Sequence, residues 1–217
     1  MPDHVTGVGQ VILGVRDLDS ASAAIEALGL RVIDGGVHPG LGTANRIVPL
    51  GNAYLELLGV IDEAEARTDA SRRSLLERTA HGDAFVRWSI RTQEIEVTAA
   101  RLGLHPEPRK RLRPDGSVLR WQAAGIELAV EHPWLPFFMQ WDDPAEFPGF
   151  IPVEHPVGRC SLAWIELASP AAAQLATWTE GNDELPLRRV EGTPGIAAMA
   201  IATPDGELVV RPSATST

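Results

Sequence analysis

Residues 8–29, VGQVILGVRDLDSASAAIEALG, decide how the chain folds. The first half is apolar and β-branched, as a strand is. Arg16-Asp17-Leu18-Asp19-Ser20 then turns into an alanine-rich helix over residues 21–28, and Gly29 stops it. Extended segments follow at 31–34, 45–50 and 54–60, separated by the glycine-rich GGVHPGLG and by Gly51-Asn52. The unit reads βαβββ. Working outward, the same order returns in residues 84–103, AFVRWSIRTQEIEVTAARLG: strand 84–90, turn 91–94, helix 95–102 and stop Gly103. Extended segments at 109–113, 117–123 and 136–141 complete this second unit, with an insertion at 125–134. A third pass begins near Cys160, with strand SLAWIEL, Ser169-Pro170 opening a helix over 171–179, stop Gly181 and extended stretches at 187–190, 196–202 and 207–211. The turn anchors Asp17, Thr92 and Ser169 stand at nearly equal intervals, the mark of an internal repeat.

Residues 1–61 therefore form a first unit, 62–83 a connecting helix and 84–143 a second unit. Residues 144–157 are a proline-rich linker, and 158–217 are a third βαβββ-like unit with a short tail. The expected fold class is α+β: tandem βαβββ units pairing curved mixed sheets around a central cleft. The connecting helix, with Glu63 four residues before Arg67, reads as carrying a solvated charged face.

Composition bounds the partners. Of 217 residues 44% are hydrophobic and 22% charged, the make-up of a packed protein. A net charge of −10, from 19 Lys and Arg against 29 Asp and Glu, disfavours nucleic acid and anionic membranes and leaves a small molecule as the expected ligand. The single cysteine, Cys160, has no disulfide partner, and MPDHVTGVGQ has no basic and apolar leader pattern, so the expected location is cytoplasmic. An odd third unit leaves a sheet edge or concave face that a homodimer would cover.

The strand running into RDLD, the closing strand YLEL and, above all, GGVHPGLGTANRIVPLGNAYLELLGV at 35–60 resemble the vicinal oxygen chelate superfamily. Within it they resemble the glyoxalase-like domain family. Residues 1–143 correspond to that domain. The resemblance implies a metal held in the cleft by the first and last strands of each unit, at Gln10, Glu56, Phe85 and Gln140. Only Glu56 is a usual ligand, and it is the ligand if a metal binds; Gln10, Phe85 and Gln140 disfavour a divalent metal. The glycine-rich stretch lacks the spacing of a phosphate loop, so no nucleotide cofactor is expected.

Period-two alternation assigns faces. Gln10, Ile12, Gly14, Tyr54, Glu56 and Leu58 face the cleft, while Val11, Leu13, Val15, Leu55 and Leu57 pack on the helix. In the second unit the same rule sends Phe85, Arg87 and Ser89 inward, with Phe138 and Gln140 beside them and Trp121 from the neighbouring strand. Glu56 reads either as a proton-transfer carboxylate or as the partner of Arg87 in an ion pair. Arg87 is a candidate anchor for a ligand carboxylate. His38, before Pro39, is the second candidate acid, base or ligand, with Thr43 and Asn45 adding polar contacts. Arg109-Lys110-Arg111 and Arg113 read as a solvated edge strand, and His4 and His81 as exposed. Two functions fit: an enzyme moving a proton or isomerising a small oxygenated molecule, or a protein that binds one without chemistry, as bleomycin-resistance proteins do.

Overall fold

The computed structural model describes residues 5–113 and 115–212; His4 and the tail beyond 212 lie outside them. The first unit is β1 (Val5–Val15), α1 (Leu18–Ala27), β2 (Ile33–His38), β3 (Thr43–Pro49) and β4 (Tyr54–Val60). Asp17 caps α1 by accepting the Ser20 amide at 2.7 Å. The connection folds as two helices, α2 (Glu63–Ala66) and α3 (Ala70–Thr79), rather than the single one expected, because Asp69 caps a new start on the Arg72 amide. The second unit is β5 (Ala84–Thr92), α4 (Ile95–Leu102), β6 (Glu107–Leu112), β7 (Val118–Ala124), α5 (Ile126–Glu131) and β8 (Phe137–Trp141). Here α5 is the insertion. The proline-rich segment makes two 3-10 turns, Pro144–Glu146 and Pro148–Phe150. The third unit is β9 (Ser161–Ala168), α6 (Ala172–Trp178), β10 (Leu187–Arg189), β11 (Gly195–Thr203) and β12 (Gly206–Val210). Ala171, not Ser169, occupies its helix N-cap.

Both units have the expected internal pairing, each first strand running parallel to its last, and they meet where β1 runs antiparallel to β5. The two curved sheets go further and close into a barrel of order β1-β4-β3-β2-β6-β7-β8-β5. On the far side β2 meets β6 at Val37 opposite Leu112. Gly36 (φ +137°) permits that seam, since a Cβ there would strike the Leu112 carbonyl. Thus the basic strand β6 is paired along β7 and joined to β2 at Leu112, so it is not the free edge its charges suggest; Lys110 is exposed, as expected, but Arg111 is buried.

The third unit keeps the βαβββ order but pairs differently, as a sheet β10-β9-β11-β12. Its inner residues Leu162, Ile165, Met199 and Ile201 share one core with the outer face of the barrel, including Val11, Leu13, Trp88 and Ile90. That packing covers one face of the third sheet, and β10 and β12 stand at its edges. Among the described residues no helix is long and apolar enough to cross a membrane.

Candidate functional site

The barrel encloses a cavity of about 120 Å³, close to the roughly 150 Å³ that holds a benzene ring in an engineered cavity. Its polar end is built across three neighbouring strands: Ile12 of β1 stands opposite Glu56 of β4 on one side and Arg87 of β5 on the other. Strands lie about 4.8 Å apart, which puts the backbones carrying Glu56 and Arg87 about 10 Å apart with the cavity between them. Glu56 accepts a 2.7 Å hydrogen bond from Asn45 Nδ2, and Arg111 Nη1 donates to Asn45 Oδ1 at 3.3 Å. Gly35 makes this seat, because a Cβ there would collide with Asn45 Oδ1. Arg87 Nη1 donates to Ser71 Oγ in the first turn of α3, beside Arg72. Tyr54 donates to Gln10 Oε1. The opposite end is apolar, with Ile126, Phe137, Met139 and the tilted pair Trp121 and Trp141 at 5.1 Å.

Arg72, Arg87 and Arg111 line this space with Glu56 and Asp69, and Arg109, Lys110 and Glu127 complete the wall. Burial, then repulsion from Arg72, pushes Arg87 down to about 9, with Glu56 opposing the shift. It is still a cation at neutral pH, but one short of counter-charge. Burial likewise lowers Arg72 and Arg111, and it raises Tyr54 well above the phenol range, so Tyr54 stays protonated. Among the residues that line the cavity, four side-chain atoms are buried in its wall without a hydrogen-bond partner: Arg72 Nε, Arg109 Nε, Arg111 Nε and Trp141 Nε1. All four are donors. A buried donor left unpaired costs about 1–3 kcal/mol, so the cavity is arranged for something rich in acceptors.

His38 reaches the cavity wall as expected, its Nδ1 3.1 Å from Thr43 Oγ1. Burial first, then Arg72, Arg111 and Arg87, push it down to about 3. It is therefore a neutral imidazole, able to share hydrogen bonds but not to act as the protonated acid of the sequence reading. Below pH 6.5 the unfolded chain takes up a proton that the folded chain refuses until about pH 3, so stability falls as pH drops through that window. At pH 4.5 the cost is about 2–3 kcal/mol. His38→Gln, which can keep the Thr43 contact, is expected to remove that part of the acid limb in urea denaturation at pH 7.0, 5.5 and 4.5. An unchanged limb would mean His38 is protonated in the fold.

Gln10, His38, Asn45, Glu56, Arg87 and Trp121 thus converge on one cavity, with Thr43 fully buried behind His38. Glu56 takes its hydrogen bond from Asn45 rather than from Arg87. Three expected residues do not converge. Phe85 packs in the outer core with Leu13 and Trp88, because a bulge at Val86 shifts the ladder from Ile12 opposite Arg87 to Leu13 opposite Phe85 and turns the strand over. Phe138 and Gln140 also point outward. Phe138 stacks near Trp178, and Gln140 Oε1 accepts the Ile95 amide at 2.8 Å, closing the start of α4 where Glu94 offers no side-chain cap. Phe137, Met139 and Trp141 line the cavity instead. The sequence offers no reading of Asp69, Ser71 and Arg72 as site residues and takes Arg111 for part of a solvated basic strand; the signals were the Asp69-Ala-Ser-Arg helix start and the alternate basic positions 109, 111 and 113.

The metal expectation can be tested on the corrected register. Gln10 lies seven residues before the cap Asp17, and Arg87 seven before the cap Glu94. Glu56 stands opposite Ile12, as Phe137 stands opposite Ser89. The four places are thus filled by an amide, a carboxylate, a guanidinium and a phenyl ring. Only two of these offer donor atoms to a cation, and three arginines repel one. Among the described residues no group of three or more His, Cys, Asp or Glu could hold a metal ion. The residues do not fit a divalent metal.

Comparison with known proteins agrees with the fold. A hypothetical protein from Staphylococcus aureus superposes with a TM-score of 0.63 at 16% identity, covering 94% of this chain and 85% of its own. Methylmalonyl-CoA epimerase from Mycobacterium tuberculosis matches at 18% identity and a TM-score of 0.44, over 64% of this chain and 89% of its own. A 4-hydroxymandelate synthase mutant from Streptomyces coelicolor matches at 16% identity and 0.48, over 96% and 63%. No curated protein sequence matches significantly. The sequence profile described as glyoxalase-like domain matches residues 10–185, most of the chain and all of the cavity-lining strands. The chain is a member of the glyoxalase-like domain family.

Proposed function

We propose that the barrel cavity binds a compact organic acid carrying an oxygen next to its carboxylate, and that Glu56 moves a proton on it. The observation that carries this reading is the set of arginines, Arg72, Arg87 and Arg111, lining one cavity beside the deep carboxylate Glu56, with donors on Arg72, Arg109, Arg111 and Trp141 buried and unpartnered in its wall. Guanidinium groups match a carboxylate in geometry and charge, and the cavity volume suits a three- or four-carbon acid. The ligand's carboxylate rests among Arg72 and Arg111, its neighbouring oxygen is turned to Arg87, and its apolar end lies on Phe137, Met139 and Trp121. Glu56 then faces the carbon on the far side of that carbonyl, where an acidified proton can be taken up and returned.

Calorimetric titration of chelator-treated protein with pyruvate, lactate and malonate, beside their uncharged amides, tests the binding half. The acids are expected to bind and the amides not, and Arg72→Leu to weaken the acids at least tenfold. Equal binding of acids and amides would overturn the reading. Exchange of the pyruvate methyl protons in deuterated water tests the chemistry: it is expected in the wild type and absent in Glu56→Gln. Binding without exchange would support the second reading, sequestration without turnover, which the engagement of Glu56 Oε1 by Asn45 favours.

A further inference from the structure

We infer that the Arg87 guanidinium replaces the divalent cation of the cleft: it is the fixed positive charge on which the ligand's oxyanion rests, so the site works without a metal. The inference rests on the organic-acid reading above and adds to it the group that stabilises the reaction. Arg87 stands in the second unit where Gln10 stands in the first, one strand from Ile12 and across it from Glu56. Its charge is held in place by Ser71 of α3, which lines the same cavity and takes the Nη1 hydrogen, while among the described residues no acceptor takes Nε or Nη2. Those N–H groups are left for the ligand. Arg72 lies beside it and Arg111 lines the same cavity, so a metal ion entering here would meet three cations against Glu56 and Asp69, a field that favours an oxyanion instead.

The chemistry balances without any co-reactant. The C–H bond beside the ligand's carbonyl breaks, the proton goes to Glu56, and the electron pair moves to the carbonyl oxygen, which becomes an enolate facing Arg87. Return of the proton from Glu56 to that carbon restores both partners. Fixed donors aimed at the place where charge develops favour the enolate over the ketone.

Oxalate is the probe, a planar dianion shaped like the enolate of a three-carbon oxo acid; lactate, tetrahedral at the same carbon, is its control. In the presence of a chelator the wild type is expected to bind oxalate at least tenfold more tightly than lactate. Arg87→Met should lose at least a hundredfold for oxalate and under tenfold for lactate, whose carboxylate keeps Arg72 and Arg111. Arg87→Lys, with the charge but not the planar fork, should fall between. Conversely, Gln10→His combined with Arg87→His should bind nickel with a visible absorption band, while the wild type shows none. Oxalate binding that needs added metal, or that survives Arg87→Met, overturns the inference and leaves the organic-acid reading standing. If neither anion binds the wild type, that reading falls and takes this one with it.

Discussion

Glu56→Leu is expected to destabilise the protein by about 3–5 kcal/mol, the usual cost of stripping the counter-charge from buried ions. Glu56 is 5% exposed and is the carboxylate set among Arg72, Arg87 and Arg111, each of which feels its charge. Leucine fills the space but leaves those guanidiniums facing one another and the Asn45 amide without its acceptor. The effect should be largest in anion-free buffer and shrink as malonate is added, because a bound anion supplies the missing charge. Glu56→Gln, which keeps an oxygen for Asn45, should lose less stability and bind anions more tightly than the wild type. Urea denaturation with and without malonate reads both; a loss that malonate does not reduce would mean the damage is packing alone.

Arg87→Met should act in the opposite direction. Arg87 is 5% exposed, repelled by Arg72 and under-compensated, so replacing it with an apolar side chain of similar length removes a desolvation cost. Replacing a whole buried ion pair by apolar groups is often stabilising by about 1–4 kcal/mol, and removing one partner is costly only where the other is left unpaired; Glu56 keeps Arg72 and Arg111, so the ligand-free variant is expected at the low end of that range. Ser71, which loses its donor, is only half-buried and can turn to water. A substitution that raises stability while removing ligand binding is what a site maintained at the expense of the fold produces. A ligand-free loss of stability in Arg87→Met would show instead that the guanidinium is structural.

Much of the architecture is legible in the sequence because it depends on local signals. The caps and stops at Asp17, Gly29 and Gly103 and the alternation of Gln10 to Val15 mark two βαβββ units, and alternation alone places Gln10, Tyr54 and Glu56 inside. Barrel closure depends on a single long-range meeting of Val37 with Leu112, which no local pattern announces. Strand faces in the second unit were harder for a specific reason: a one-residue bulge at Val86 reverses Phe85, and Gln140 is polar because it caps α4, not because it faces a ligand. Polarity in a strand was read as a cleft position when it belonged to a helix end. Arg72 and Arg111 were hidden in charged stretches that look solvated, and only the tertiary fold turns them inward.

The central claim is that the arginine cluster is costly to the empty protein and useful to the filled one. It is tested most directly by comparing the unfolding free energies of wild type and Arg87→Met in chelator, without ligand and with oxalate at about 1,000 times its wild-type Kd, where binding adds about 4 kcal/mol. A hundredfold weaker Kd leaves Arg87→Met only about 1.4 kcal/mol of that gain, so the account expects oxalate to favour the wild type by about 2.7 kcal/mol and the order to reverse: Arg87→Met more stable when empty, wild type more stable when oxalate is present. An equal gain from oxalate in both proteins, or a wild type already the more stable when empty, would contradict it.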